Sequence, residues 1–140
     1  MIKAGGVVFV SLRTKRVCLF LRSGLVSSPL TWGFCGGKIE KNENILKGIS
    51  RELREEMGFI PKYKKVIPVD VFKSMDDNFM YYSFVVLVDK EFSPKLNKEH
   101  NGYGWFDLNG LPKPLHAGAK MVLMHGGFKK IFKEIISDNV

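Results

Sequence analysis

The segment 44–57 constrains the fold of this chain more than any other part of the sequence. Its apolar residues recur every four positions, and they are Ile45, Ile49, Leu53 and Met57, with Leu46 beside them. This spacing predicts an amphipathic helix that buries one stripe. Asn42 or Asn44 suits the N-terminal cap, and Gly58 stands where a glycine commonly ends a helix.

Apolar, β-branched runs on both sides of this helix predict strands. They cover residues 3–10, 17–22, 66–73, 80–88 and 103–106, with a short extended piece at 32–35. A turn is expected at Gly36–Gly37, then a loop to about Asn42, and a polar loop at 90–102. A second helix is expected over residues 117–137, with a break at Gly126–Gly127. The order predicts an α/β fold, a sheet flanked by helices, in one domain over residues 1–140.

The polar face of the first helix carries a cluster of charges near its C-terminal end. Glu52, Glu55 and Glu56 are three or four residues apart or adjacent, so their carboxylates share one part of the helix surface. Arg51 offsets part of their repulsion, and a hard divalent cation with oxygen ligands would offset more. A solvated acidic face with a salt bridge explains the cluster equally well. The glycine-rich loop before the helix, which adds Glu40 and Glu43, favours a ligand site.

The segment from Gly37 to Phe59 resembles the Nudix box at every defined position. The matching residues are Gly37, Glu43, Arg51, Glu52, Leu53, Glu55, Glu56, Gly58 and Phe59. The resemblance implies an α/β/α sandwich with a mixed sheet, and hydrolysis of a nucleoside diphosphate linked to another moiety. Cys35 replaces the proline that usually precedes the two glycines, which is expected to loosen that turn without removing a ligand.

The same resemblance implies roles for individual residues. Glu52, Glu55 and Glu56 resemble the ligands of Mg²⁺, or alternatively Mn²⁺, with the carbonyl of Gly37 as a further ligand. It also implies that Glu43 supports the loop–helix–loop and that Arg51 orients a glutamate. Metal ions of this kind neutralise a diphosphate and activate water.

Hydrolysis also needs a general base, for which there are two candidates, one outside the box and one inside it. Glu99 lies in the polar loop six residues before Trp105, where many relatives carry a base or extra ligand, although it also fits an ordinary loop carboxylate. Glu56 is the alternative base. The neighbouring His100 is expected to be solvent-exposed. The predicted catalytic set is therefore Glu55, Glu56, Arg51 and Glu99.

The formal charge of +8 favours an anionic partner, here a small nucleotide, while RNA is permitted but not favoured. Arg22 and Lys38 are candidates for phosphate contacts, although they also fit an ordinary charged surface. Aromatic side chains available to stack on a base are Phe34, Phe79, Tyr81, Tyr82 and Trp105. His116 fits a helix cap at least as well as a substrate contact.

Location and assembly are constrained less strongly. Cys18 and Cys35 form neither a metal motif nor a disulfide framework, which predicts reduced thiols in a cytoplasm. No stretch is apolar enough to cross a membrane, and a homodimer remains open.

Three functions follow as alternatives. The first is hydrolysis of ADP-ribose, dinucleoside polyphosphates or nucleoside triphosphates. The second is removal of pyrophosphate from RNA 5′ ends. The third, a non-catalytic nucleotide-binding module, ranks last because no glutamate of the box is missing.

Overall fold

A computed structural model describes residues 1–138 of the chain as one mixed sheet with helices on both faces. Within these residues there are seven strands: β1 (Ile2–Ser11), β2 (Val17–Arg22), β3 (Trp32–Gly33), β4 (Cys35–Lys38), β5 (Lys65–Lys73), β6 (Phe79–Val88) and β7 (His100–Phe106). The same residues contain three helices: α1 (Ile45–Met57), α2 (Ala117–Leu123) and α3 (Gly126–Asp138). The single domain expected over residues 1–140 includes Asn139 and Val140, which lie outside the described residues.

The sheet is organised around β1. This strand runs parallel to β6 along its whole length, and β5 pairs antiparallel with the far side of β6. On its other side, the first half of β1 pairs with β4 and the second half with β2. Strand β2 then continues the sheet to β3 and β7. The strand β4, which leads towards α1, is therefore held at the centre of the sheet.

Each face of the sheet buries its own core because successive side chains of a strand point to opposite faces. Val7 and Phe9 of β1 pack with the buried stripe of α1. Val8 and Val10 pack on the opposite face, against residues of α2 and α3. The helices thus form one layer on each side of the sheet.

The boundaries of α1 agree with the prediction. The Asn44 side chain accepts a hydrogen bond from the Lys47 N–H at 2.8 Å, so Asn44 rather than Asn42 caps the helix. Gly58 ends the helix in the left-handed conformation, with φ 78°. Ile49, Leu53 and Met57 are buried and Ile45 packs against the same core, as predicted. The inclusion of Leu46 in the buried stripe was wrong, because this side chain is exposed.

The turn predicted at Gly36–Gly37 was wrong. Both glycines belong to β4, where Gly36 pairs with Gly6 and Gly37 pairs with Gly5 of β1. Strand pairing satisfies the backbone groups of these glycines without any side chain, so the local signal for a turn is overridden. The chain leaves the sheet only after Lys38.

Two other boundaries also differ from the prediction. Strand β7 begins at His100, because backbone pairing of His100 and Gly102 with β2 extends it into the expected polar loop. The helix break lies before Gly126, where the His125 ring accepts a hydrogen bond from the Gly127 N–H at 2.9 Å. Within residues 1–138 no helix has both the length and the apolar character required to cross a membrane.

Candidate active site

The three glutamates of α1 have different environments. Glu56 is only 5% exposed, and the Glu52 side chain is 15% exposed. The Glu55 side chain is 56% exposed and lies on the outer edge of the cluster. Only Glu52 and Glu56 therefore point into the protein.

Arg51 connects the loop before α1 to the glutamates of the helix. Its guanidinium binds both carboxylate oxygens of Glu43, at 2.9 Å and 3.0 Å. It also donates to Glu52 at 3.1 Å and to the Lys38 carbonyl at 3.0 Å. The contacts to Glu55 are longer, at 3.4 Å and 3.5 Å. Bidentate pairing of this kind fixes orientation as well as charge, so Arg51 fixes Glu52 relative to the end of β4.

These contacts change the proton affinities of the residues involved. The side-chain hydrogen bonds from Arg51 lower the pKa of Glu43, and the bond to Glu43 raises the pKa of Arg51. For Glu52, burial raises the pKa and outweighs the opposing bond from Arg51, while Glu55 and Glu99 raise it further. Glu52 therefore binds a proton more readily than an exposed glutamate, despite its bond from Arg51.

Glu56 is held against β4 by two donors to one oxygen. Its Oε2 accepts from the Gly36 N–H at 2.9 Å and from the Cys35 thiol at 3.0 Å. Burial raises the pKa of Glu56 to about 8, and the two hydrogen bonds oppose this shift. Burial likewise raises the pKa of the Cys35 thiol well above its usual range, so it remains a donor. This contact gives Cys35 a function that the expected loosening of a turn did not suggest.

Gly37 allows the close approach of Glu52 to the sheet. A Cβ at Gly37 would lie 2.5 Å from the carboxyl carbon of Glu52 and 2.6 Å from its Oε2. Any larger residue here would displace the Glu52 carboxylate from its position beside β4.

Glu99 reaches the same place from the loop before β7, and Asn97 holds that loop. The Asn97 amide donates to the Glu55 carbonyl at the end of α1, at 2.9 Å. The same side chain accepts from the Glu99 N–H at 2.9 Å. Asn97 therefore couples the position of Glu99 to that of α1.

These groups surround a small hollow, which we call the carboxylate cavity, of about 260 Å³. It is lined by Glu52, Glu56, Glu99, His100, Arg22, Val26, Gly36, Gly37 and Lys38. The expectation of an exposed His100 was wrong, because His100 is 6% exposed. Burial lowers its pKa to about 4, so the ring is neutral at physiological pH. Glu55 is not part of the lining.

The donors of this cavity suit a hard divalent cation in their chemistry. Glu52, Glu56 and Glu99 line this cavity together with Gly37, and Mg²⁺ prefers oxygen ligands such as carboxylates and carbonyls. As they stand, no three His, Cys, Asp or Glu side chains within residues 1–138 converge closely enough to hold an ion. The reason is visible in the contacts, since Arg51 binds Glu52 and β4 binds Glu56. Accommodating an ion therefore requires Glu52 and Glu56 to leave these partners.

A larger hollow of about 480 Å³ lies on the α2/α3 face of the sheet, and we call it the aromatic cavity. Its aromatic lining is Phe34, Phe72, Phe79 and Tyr81, and its polar lining includes Asp70, Ser83 and His116. Arg22, Gly36, Gly37 and Lys38 line both cavities. The two cavities are therefore neighbours across β4.

The structure separates the five aromatic candidates into two groups. Phe34, Phe79 and Tyr81 line the aromatic cavity. Trp105 instead packs on the α1 face, where its indole N–H donates to the Phe92 carbonyl at 3.1 Å. Tyr82 points to the opposite side of β6 from Tyr81, as strand alternation requires.

His116 caps α2 as expected, accepting from the Gly118 N–H at 3.1 Å, and also lines the aromatic cavity. Asn97 and Asp70 were not identified from the sequence. Asp70 lies within a predicted strand, where the register that places it on the cavity side is not apparent. Asn97 looks like any polar loop residue, and only the fold reveals its contact with α1.

The sequence of this chain is similar to those of known proteins. The family model described as NUDIX domain matches residues 2–125. An ADP-ribose pyrophosphatase from Methanocaldococcus jannaschii is 33% identical over 79 residues, covering 56% of this chain and 47% of that protein. The chain thus spans about half the length of this relative.

Solved structures show the same architecture. A MutT NUDIX hydrolase from Burkholderia pseudomallei has a TM-score of 0.69 at 25% identity, over 87% of this chain and 95% of that one. The NUDIX domain of Shewanella oneidensis NrtR, complexed with ADP ribose, has a TM-score of 0.71 at 15% identity, over 94% and 88% of the two chains. The second likeness shows the fold alone. Because the family model covers most of the sequence and the mixed sheet matches these structures, the chain belongs to the NUDIX domain family.

Proposed function

We propose that this protein hydrolyses the diphosphate bond of a small nucleoside diphosphate derivative, with ADP-ribose as the first candidate. The observation that carries the proposal is the adjacency of the two cavities. An acidic, polar cavity suited to a metal-bound diphosphate opens beside an aromatic cavity suited to a base or sugar, and the same four residues line both.

The metal ligands in this proposal are Glu52, Glu56 and Glu55, with the Gly37 carbonyl as a further donor and Mg²⁺, or alternatively Mn²⁺, as the ion. When bound, such an ion neutralises charge on the diphosphate and makes water more acidic. Glu55 must leave Arg51 to reach the cavity, because its side chain is exposed and paired with that guanidinium.

The remaining residues act on the substrate directly. Arg22 and Lys38 lie where a diphosphate would pass between the cavities, and both bring positive charge to its oxygens. Arg22 is preoriented by its hydrogen bonds to Ser27, at 2.8 Å and 3.1 Å. Glu99 is the proposed base, taking a proton from the attacking water as a phosphorus–oxygen bond breaks, and Glu56 is the alternative.

ADP-ribose is favoured over RNA for two reasons. The Methanocaldococcus jannaschii relative is described as an ADP-ribose pyrophosphatase, and the NrtR domain was solved with ADP ribose. The aromatic cavity also has the size of a site for a small ligand. The charge of +8 is compatible with RNA but is not specific to it. A cytoplasmic location is part of the proposal and agrees with two free, buried cysteines.

The test is a product assay with purified protein and Mg²⁺ on ADP-ribose, dinucleoside polyphosphates, nucleoside triphosphates and triphosphate-ended RNA. For ADP-ribose the expected products are AMP and ribose 5-phosphate. Glu56→Gln should lower kcat by about 1,000-fold, because it removes a buried carboxylate of the site. Glu134→Gln, the same change on the exposed side of α3, should leave kcat unchanged.

The outcomes of this assay distinguish the proposed function from its alternatives. Turnover of RNA alone would replace the proposed substrate with the second candidate. Tight binding of ADP-ribose without turnover would indicate a binding module. Turnover that is insensitive to Glu56→Gln would remove the carboxylate cavity from the chemistry.

A further inference from the structure

The side chain of Tyr81 lies across the sheet towards β4. Its hydroxyl occupies the space above Gly6 of β1, so closely that a Cβ on Gly6 would overlap it. The same Cβ would lie 3.4 Å from the Cys35 carbonyl oxygen of β4. The absence of a side chain at Gly6 therefore allows the Tyr81 hydroxyl to reach the strand that separates the two cavities.

No hydrogen bond from residues 1–138 contributes to the environment of the Tyr81 hydroxyl, whereas the Tyr82 hydroxyl contacts Met80 Sδ at 3.8 Å. In the same described part of the chain, the only fully enclosed side-chain N or O atom without a partner is His100 Nδ1. The Tyr81 hydroxyl therefore retains accessible surface, and the cavity that Tyr81 lines is the aromatic cavity. A polar group left unpaired in such a largely apolar site is costly unless a ligand or water completes its bonding.

The surroundings of this hydroxyl indicate what kind of ligand atom it meets. Burial, with a smaller contribution from Glu56, raises the pKa of Tyr81, so the hydroxyl keeps its proton at neutral pH. It can therefore donate to an anion. The cations Arg22 and Lys38 line both cavities at this crossing, which makes it the place where phosphate charge is best stabilised.

We infer that the Tyr81 hydroxyl is a substrate-binding group that donates a hydrogen bond to a phosphate oxygen where the diphosphate passes between the carboxylate and aromatic cavities. This inference rests on the proposed function, since it assumes a ligand that occupies both cavities. It adds a residue outside the Nudix box to the phosphate-binding groups. It also separates the roles of two adjacent tyrosines that are indistinguishable in the sequence.

The test compares Tyr81→Phe with the matched control Tyr82→Phe, which also loses one hydroxyl from β6. Binding is measured by calorimetry with Mg²⁺ and two probes, adenosine and α,β-methylene ADP-ribose, whose bridging carbon prevents hydrolysis. Tyr81→Phe should weaken binding of the methylene compound by about tenfold, the usual size for a hydrogen bond to a charged group, and leave adenosine binding unchanged. Tyr82→Phe should change neither.

The unfolding temperature of Tyr81→Phe should equal or exceed that of the wild type, because the hydroxyl it lacks has no partner in the protein. Unchanged binding of the methylene compound would overturn the inference. An equal loss for adenosine would also overturn it, since the contact would then be to the nucleoside. If the wild type hydrolyses ADP-ribose but Tyr81→Phe keeps its full affinity, the inference fails while the proposed function stands. If the wild type neither binds nor hydrolyses any probe, both fail.

Discussion

The two cavities that meet at β4 differ in how the groups proposed to act on the substrate are held. On the α1 side, Arg51 binds Glu52 and β4 binds Glu56, whereas His100 Nδ1 in the same cavity is buried without a partner within residues 1–138. In the aromatic cavity, no hydrogen bond within the described residues contributes to the environment of the Tyr81 hydroxyl. The carboxylates of the first cavity are thus held in place before any ligand arrives, as the proposed catalytic groups need to be. The aromatic cavity leaves bonding capacity for the ligand, so specificity is expected to depend on it.

Among the changes that leave every carboxylate of the carboxylate cavity in the sequence, the one at the closest contact of Glu52 should have the largest effect on activity. Gly37→Ala would place a methyl group within 2.5 Å of the Glu52 carboxyl carbon and force that side chain away. A displacement of this size should lower kcat/KM by about 100-fold. Gly24→Ala is the control, because a Cβ there meets nothing within 4 Å. Steady-state kinetics on the accepted substrate check the prediction, and near-normal activity of Gly37→Ala would mean that Glu52 need not lie beside β4.

Replacing the guanidinium of Arg51 with an amine of the same charge tests whether this residue must orient Glu52. Arg51→Lys cannot bind Glu43 through two parallel bonds and reach Glu52 at the same time. We expect a loss of about 10- to 100-fold in Mg²⁺ affinity, as is usual for groups that orient metal ligands. Arg54→Lys, exposed on the same helix, should have no effect. The Mg²⁺ dependence of kcat measures this, and equal curves for the two variants would contradict it.

Asn97 holds the loop that carries Glu99, so replacing Asn97 should have a smaller effect on the carboxylate cavity. Asn97→Ala removes the bonds from its side chain to the Glu55 carbonyl and the Glu99 N–H. If Glu99 is the base, kcat should fall by about fivefold, the effect of losing a hydrogen bond of roughly 1 kcal/mol. Asn101→Ala, exposed on β7, is the control. In a Glu99→Gln background, Asn97→Ala should have no further effect on kcat, and a full additional loss would separate Asn97 from Glu99.

The last prediction concerns the stability of the metal-free protein and involves no change in kcat. Burial raises the pKa of Glu56 from an ordinary value of 4.5 to about 8, so the folded state holds this proton more tightly than the unfolded state. The resulting stabilisation is fully present below the unfolded pKa and is lost as pH rises towards the folded one. In EDTA, the free energy of unfolding should therefore fall by a few kcal/mol more in wild type than in Glu56→Gln between about pH 5 and about pH 8.5. Urea unfolding at the two pH values measures the difference, and parallel losses in both proteins would contradict it.

The sequence predicted the elements around the carboxylate cavity far better than those around the aromatic cavity. Helix α1 is set by local signals, namely the apolar stripe, Asn44 and Gly58, and all of these act within a few residues. The difference between buried Glu56 and exposed Glu55 was not predictable, because it depends on which face of α1 meets β4. The strand conformation of Gly36 and Gly37 was missed for the same reason, since it depends on pairing with a distant strand.

The aromatic cavity depends almost entirely on such long-range pairing. Whether Tyr81 or Tyr82 faces the cavity is decided by the register of β6 against β1 and β5, which a short run of apolar residues does not specify. The contact of Cys35 with Glu56 likewise joins residues on separate elements. The resemblance to the Nudix box predicted the identity of the acidic residues, and the tertiary structure was needed to assign their surroundings.

The proposed function requires the carboxylate cavity to bind the divalent ion on which hydrolysis depends. Titration of the protein with Mn²⁺, with free ion measured by electron paramagnetic resonance, tests this directly. We expect the wild type and the exposed control Glu134→Gln to bind Mn²⁺ equally, and Glu52→Gln to bind it at least about 100-fold more weakly. Equal Mn²⁺ affinity in Glu52→Gln and Glu134→Gln would contradict the assignment of this cavity as the metal site.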